Sequence, residues 1–304
     1  MTADHRRGTI QQPGAAEEFA SRHFVDVGHA RVCYSKAGNG PALVLLHGFP
    51  LSGLTWRKVV PALSQRFTCY APDLVGLGNS ASSDSADFAS PGQGKVIQQA
   101  LRALGVSSYA LVGNDTGGWV ARELALLDPD RVTHLGLTNT EIPGHRPPWI
   151  PLYQLMARMP GSSLAMRRML ASRRFRRSAL GFRGCFQDLG LIEGEFAELF
   201  VSPLVSSQER LSLMLRFLVC MKFERIDRFA ELHGKLTMPV SFLWGAADPT
   251  FPEKTARAMA SQFPNVAHFK SIPNGKLFVQ EEYPEVVAQW LIEFVAGIAR
   301  SSVP

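Results

Sequence analysis

The stretch Leu111-Val112-Gly113-Asn114-Asp115-Thr116-Gly117-Gly118 puts a carboxylate where a chain can do nucleophilic chemistry. An apolar run enters a Gly-x-Asp-x-Gly turn, and a helix-forming segment follows. Glycines on both sides let such a turn close tightly and lift one side chain above a sheet, at the N-terminus of the next helix. With aspartate in that place, the expected attack is on an alkyl carbon, leaving an alkyl-enzyme ester. Hydrolysis of that ester needs a second group, a base that activates water.

Alternating strands and helices are what must position this turn. Residues 24–36 read as a strand pair, and 42–46 as a short apolar strand buried on both faces of a parallel sheet. That strand ends in His47-Gly48-Phe49-Pro50, and a helix is expected over 54–63. The segment 68–71 reads as a strand leading into Asp73 to Ser80, with a Ser/Asp-rich surface loop over 81–90. A helix over 95–104 feeds the turn strand, 109–112; the turn helix spans 116–127 and another strand 132–137. Between 148 and 232 only helical periodicity remains, broken at Pro160-Gly161, at 181–184 and at Pro203. Alternation resumes with a strand at 239–244, a helix over 252–263, a strand over 266–272 and a final helix over 284–299. The simplest account is an α/β core interrupted by an all-helical insertion. Residues 1–20 are expected to be a mobile tail, 21–142 and 234–304 the core, and 143–233 the helical cap.

With 304 residues, 46% apolar and 19% charged, the chain can bury a sizeable core. Cys33, Cys69, Cys185 and Cys220 are widely spaced, Cys33 and Cys69 within strands, so free thiols in a reducing, cytoplasmic setting are expected. No apolar run has the length of a transmembrane helix, and residues 1–20 have no signal-peptide core. The net charge of +6 is uneven: residues 142–187 contain nine arginines and no Asp or Glu, so the rest of the chain is at −3. That patch points to an acidic partner, whether an acyl carrier protein, a phosphorylated thioester handle or an anionic surface, or to a solvated helix face. Nucleic acid is not expected, since no recognition motif accompanies the charge.

Taken together, these segments resemble the α/β-hydrolase fold superfamily, and within it the haloalkane dehalogenase and epoxide hydrolase branch. The resemblance runs from Phe24 to Ala299 and rests on His47-Gly48-Phe49-Pro50, Asp73 to Ser80, the Asp115 turn, Leu243 to Pro249, and Ile272-Pro273-Asn274 through Glu282. It implies a mostly parallel eight-stranded sheet flanked by helices, with an inserted helical cap. It makes Asp115 the nucleophile and the backbone N–H groups of Phe49 and Thr116 an oxyanion hole. It makes Asp248 the acid that orients a histidine. Asn139 and Glu141 stand where some relatives keep an acid or a halide-binding amide. His47 belongs to the oxyanion loop, and together with Asn114, Trp149 and Tyr153 it completes the candidates for substrate contact. No metal or organic cofactor is implied.

Four departures bear on activity. Haloalkane dehalogenases place Asn after the His-Gly pair and Trp after the nucleophile, where this chain has Phe49 and Thr116. Epoxide hydrolases use a pair of cap tyrosines, and the insertion holds only Tyr153. Fluoroacetate dehalogenase-like enzymes put Arg after the nucleophile. Above all, relatives read Ile-Pro-Asn-Ala-Gly-His-Phe where this chain reads Ile272-Pro273-Asn274-Gly275-Lys276-Leu277-Phe278, which puts Leu277 in the place of the base. His145 is the histidine expected nearest the cleft, while His134 and His268 fall inside strands and His233 on the return from the insertion. Lys276 would act as a base only if strongly desolvated.

The expected function is therefore an Asp-nucleophile or Asp-base enzyme for a hydrophobic small molecule, bound in an apolar pocket lined by Trp149, Phe182, Phe186 and Met214. Hydrolytic turnover is in question, and cyclisation, rearrangement or elimination is the counterpart. A non-catalytic binding protein and a His-to-Leu trapping variant are the rival readings; the second departure, at Lys276, favours natural divergence over a single-site trap.

Overall fold

The computed structural model describes residues 14–82, 88 and 90–297. Nine strands form one sheet: β1 (His23–Val27), β2 (Ala30–Ala37), β3 (Ala42–Leu46), β4 (Thr68–Pro72), β5 (Ala81–Ser82), β6 (Tyr109–Asn114), β7 (Val132–Thr138), β8 (Val240–Gly245) and β9 (Val266–Ile272). Their order is β1-β2-β4-β3-β6-β7-β8-β9, with the two-residue β5 beside β2. The expected eight strands are the ones along this path; β5 is a short addition cut from the predicted 81–90 loop. β2 pairs antiparallel with β1, β4 and β5, and the pairings from β4 through β9 are parallel.

β3 shows why its residues make a central strand. Leu43 and Leu45 point into one apolar layer, with Trp56 and Trp290; Val44 and Leu46 point into the other, with Trp119 and Leu124. A run apolar at every position suits only a strand covered on both faces. The loops leaving the C-terminal ends of β3, β6, β7, β8 and β9 all open on one edge of the sheet, which is where a parallel α/β sheet gathers a site.

Two expectations change here. The helix expected over 54–63 is a 3₁₀ turn at Gly53–Trp56 and a single α-turn at Val60–Leu63, with Pro61 near the start of the latter. Proline lacks the N–H that would have continued one helix into the next. The expected tail is shorter than residues 1–20: Ala15–Ala20 form a helix whose Phe19 is fully buried against the core. A lone aromatic among polar residues gives little periodicity, so its anchoring role was not legible. The remaining tail positions, 1–13, lie outside the described residues.

Between β7 and β8 every regular element among the described residues is helical. Charged pairs fasten this segment to the sheet domain. Arg225 grips buried Glu123 through two bonds of 2.5 and 2.6 Å, and Arg57 spans from buried Glu281 (2.7 Å) to Glu195 (2.6 Å). The arginine-rich stretch is partly spent on such work. Arg176 pairs with Glu193 and bonds the Leu170 and Ala171 carbonyls, Arg177 bonds the Leu189 carbonyl, and Arg146 pairs with Asp227. These three side chains hold the segment together, and Arg173 lies 3.9 Å from Glu193, so the remaining arginines of the stretch, without an ion pair among the described residues, are Arg158, Arg167, Arg168, Arg174 and Arg183. No helix among the described residues is long and apolar enough to cross a membrane.

Candidate active site

Asp115 closes β6 and opens the helix Thr116–Leu127 with φ 51° and ψ −132°. A non-glycine residue held there costs about 1–3 kcal/mol. Local bonds offset that cost: the Asp115 N–H donates to the Asn139 carbonyl (2.9 Å), and its own carbonyl accepts from Gly118 N–H and Thr140 Oγ1, both at 2.8 Å. The flanking glycines are required by space. A Cβ on Gly117 would lie 2.4 Å from the Leu46 carbonyl oxygen, and one on Gly48 would lie 2.5 Å from Asp115 Cβ.

The Phe49 N–H donates to Asp115 Oδ2 at 2.8 Å, and the Thr116 N–H bonds the same carboxyl group. Both expected oxyanion-hole donors therefore hold the Asp115 carboxyl itself, Phe49 through Oδ2. Burial pushes the Asp115 carboxyl well above the usual range, Glu141 pushes it further, and these two donors oppose the shift. The helix N-terminus also favours the anion, but burial together with Glu141 outweighs it.

Asn139 is a strut, not a cavity contact. Its amide donates to Asp248 Oδ2 (2.9 Å) and to the Gly245 carbonyl (3.2 Å), and its oxygen accepts from Gly245 N–H (2.8 Å). It thereby ties the end of β7 to the loop after β8. Asp248 Oδ1 accepts from Thr250 N–H at 2.7 Å, and burial pushes this carboxyl up to about 7 against those donors. Between its ordinary value of 3.8 and 7 the folded chain keeps a proton that the unfolded chain has released, so Asp248 costs stability as pH rises through that window. His47 and His233, held neutral by burial, titrate in the opposite sense. The informative quantity is thus a difference: Asp248→Asn should gain stability relative to the parent between about pH 5 and pH 8. At about 1.4 kcal/mol per pKa unit the gain is a few kcal/mol, read as thermal unfolding at the two pH values.

Leu277 is buried and lines the cavity wall together with Asp115. Its carbonyl accepts from Asn114 Nδ2 at 2.9 Å, and Asn114 Oδ1 accepts from Gln280 Nε2 at 3.1 Å. Asn114 is therefore a buried brace behind the site, not a substrate contact. Among the described residues no histidine lines this cavity. Nε2 of His47 accepts from Leu74 N–H (2.9 Å) while its Nδ1 faces the Gly48 carbonyl (2.9 Å), so the ring is a loop brace, removed from the substrate-contact candidates. His145 bonds the Thr250 carbonyl (2.7 Å), His233 lies beneath Arg122, and His268 faces solvent from β9. The Lys276 ammonium is spent on the Phe186 (2.9 Å) and Arg183 (3.2 Å) carbonyls of the helical segment, which removes it as a stand-in base.

Beneath the turn lies a group that sequence reasoning missed. Arg122 is fully buried and donates to the Gly118 carbonyl (3.1 Å), the Glu141 carbonyl (2.8 Å) and Thr140 Oγ1 (3.2 Å), with its face over Phe229. The signal was an arginine on the inward face of an otherwise apolar helix. Glu141 joins through Thr140, whose hydroxyl lies 2.9 Å from its Oε2, and does not line the cavity. Truncating one partner of a buried ionic network leaves the others uncompensated. Arg122→Met should therefore lower unfolding stability by about 3 kcal/mol or more, measured by denaturant titration.

The cavity encloses about 940 Å³ including its mouth. It is walled by apolar side chains, with Asp115, Thr116, Tyr153, Cys185 and Thr250 the polar exceptions. Trp149, Phe182 and Met214 line it as expected; Phe186 does not, being buried behind the wall against Phe196 and Phe278. Tyr153 faces the cavity while its hydroxyl bonds the Leu180 carbonyl, and burial raises it to about 12, so it stays protonated near neutrality. Thr116 Oγ1 is buried beside the Glu141 carboxyl. Cys185, unassigned from sequence, presents a thiol here that burial and the nearby Asp248 and Asp115 keep protonated.

A family model described as alpha/beta hydrolase fold matches residues 41–283. Haloalkane dehalogenase 2 of Mycobacterium tuberculosis is 27% identical over 280 residues, covering 90% of this chain and 94% of that protein. A soluble epoxide hydrolase of Corynebacterium is 37% identical over 124 residues, 41% of this chain and 43% of that one. The crystal structure of haloalkane dehalogenase DbeA from Bradyrhizobium elkani superposes with a TM-score of 0.72 at 23% identity, over 91% of this chain and 99% of the other. That structural likeness shows the fold.

Proposed function

The chain belongs to the α/β-hydrolase fold family, and from that premise we propose an enzyme in which Asp115 acts on a hydrophobic small molecule without the usual water-activating step. Its relatives include enzymes named as haloalkane dehalogenases and epoxide hydrolases, so the general hydrolase-like class stands. The observation that carries the finer reading is Leu277: a hydrocarbon side chain fills the cavity wall beside Asp115 where the base is expected. Leucine neither accepts a proton nor polarises water. A carboxylate raised by burial is a better proton acceptor than a solvated one. Asp115 therefore takes a proton from the substrate and returns it, in a cyclisation, rearrangement or elimination inside an apolar cavity.

An alkylating probe tests this directly. With a bromoalkane, an Asp115 carboxylate oxygen forms a C–O bond as the C–Br bond breaks and bromide leaves; with a terminal epoxide the same attack breaks a ring C–O bond, and the alkoxide takes its proton from water at the cavity mouth. Intact mass should then show one equivalent of adduct that persists for hours, because nothing nearby activates water. Rapid release of diol or alcohol in many turnovers would overturn the proposal. A non-catalytic binding role differs at one substitution: Asp115→Asn would leave ligand affinity intact with no turnover to lose.

A further inference from the structure

The helix Trp149–Arg158 presents Trp149, Ile150 and Tyr153 to the cavity, and its opposite side has no cover. On that side Leu152 and Leu155 are 44% and 60% exposed, and Met159, just past the helix, is 58% exposed. The next helix, Ser162–Ala171, buries Met166 and Leu170 and turns Leu164 (52% exposed), Arg167 and Arg168 outward, at the i, i+3, i+4 spacing of one face. The two helices touch, which sets the exposed leucines and Met159 of the first beside the helix that carries Leu164 and the arginines. Leu180, 47% exposed, lines the cavity, and its carbonyl accepts from the Tyr153 hydroxyl of the first helix. The first helix and Leu180 thus meet at the cavity wall.

Large apolar side chains left in water are normally scattered singly, and a cluster of them marks an interaction surface. Here the charge exposed on the second helix is basic. Arg167 and Arg168 have no ion pair among the described residues, and residues 142–187 contain no acid at all. Exposed Leu and Met beside unpaired Arg, on a helix pair that shields its other side, is the composition of a face that rests in a lipid headgroup region. An acidic protein partner would need a matched apolar groove to cover these apolar side chains, whereas a bilayer offers apolar depth beneath its phosphates without a matched shape.

We infer that this outer face of the helical segment docks on an anionic lipid surface, so that a hydrophobic substrate enters the cavity from the bilayer past Leu180. The inference rests on the hydrophobic-substrate reading above and adds where that substrate is collected. The arginines meet lipid phosphates, while Leu152, Leu155, Met159 and Leu164 sink among the upper acyl carbons.

Vesicle co-sedimentation of the full chain tests it without any substrate. Phosphatidylcholine–phosphatidylglycerol vesicles should retain the protein and pure phosphatidylcholine should not, with retention falling as salt rises. Arg167→Ser with Arg168→Ser should weaken partitioning by about five-fold for each arginine. Leu155→Ser with Met159→Ser should weaken it by about ten-fold or more, with thermal unfolding unchanged because both side chains already face water. Equal partitioning to both vesicle types, or variants that partition like the parent, would overturn the inference. So would a parent that ignores vesicles but is held by polyglutamate, which assigns the face to an acidic protein. Partitioning is read separately from turnover: its failure leaves the chemistry of Asp115 standing, and a silent Asp115 leaves the docking face standing.

Discussion

Asp115→Asn should abolish turnover and at the same time make the fold more stable. On the activity side, a positioned acid–base or nucleophilic group is worth about 10²–10⁴-fold, and an amide can neither take a proton nor form an ester. On the stability side, the carboxyl is buried, pushed well above its ordinary value and set against Glu141, so as pH rises past the ordinary carboxylate range the unfolded chain ionises freely while the folded chain must keep a proton or bear a buried charge. Asparagine keeps the size and keeps an oxygen for the Phe49 N–H. It also tolerates positive φ better than most residues, which matters at 51°. The expected pair of results is a loss of activity of at least two orders of magnitude, about 10² or more, and a higher midpoint in thermal unfolding at about pH 7.5 than the parent. Undiminished turnover would remove Asp115 from the mechanism, and a lowered midpoint would mean that its charge is favourable where it lies.

The second large effect is a gain. Leu277→His should turn a single-turnover alkylation into a catalytic hydrolysis. The backbone at that position is held independently of the side chain, by Asn114 Nδ2 on the Leu277 carbonyl (2.9 Å) and by Ala247 N–H on the Gly275 carbonyl (2.9 Å). Asp248 is already braced by Asn139 and Thr250 in the loop that this second bond ties to the 275–277 turn, ready to accept from an imidazole. A general base in that position is worth about 10²–10⁴-fold in breakdown of the ester. Mass spectrometry after a bromoalkane pulse should show the adduct lasting on the parent and clearing from the variant. If the adduct forms on both and persists on both, Asp248 does not serve a base at 277. If neither chain is alkylated, Asp115 is not a nucleophile, and only its role in proton transfer is left to test.

Much of this was visible in the order of residues, because the features concerned are local. The Gly-x-Asp-x-Gly turn needs glycine at particular places for steric reasons, and β3 is apolar at every position because both its faces are covered. The limits of β3, β9 and the helix Thr116–Leu127 follow from such short-range rules, and so does the loss at Leu277, since the neighbours Ile272-Pro273-Asn274 and Phe278 fix its register. The break between Gly53–Trp56 and Val60–Leu63 has a local signal in Pro61, whereas the helix around Phe19 has none, because a lone aromatic acts there through distant packing.

What the linear chain determined by itself was the carboxylate of the candidate site, the turn that presents it and the hydrocarbon side chain at position 277. The tertiary structure decided which neighbours that group has. It spent the Phe49 N–H on Asp115, withdrew His47, Asn114 and Asn139 into braces, placed Arg122 and Glu141 beneath the turn, and brought Cys185 to the cavity. It also divided the arginines between internal pairs and an open face. The physical reason is range. Turn sterics and apolar patterning act over a few residues and can be read from them, whereas burial, charge coupling and hydrogen-bond partnership depend on segments a hundred or more positions apart, such as Asn114 with Leu277 and Asn139 with Asp248.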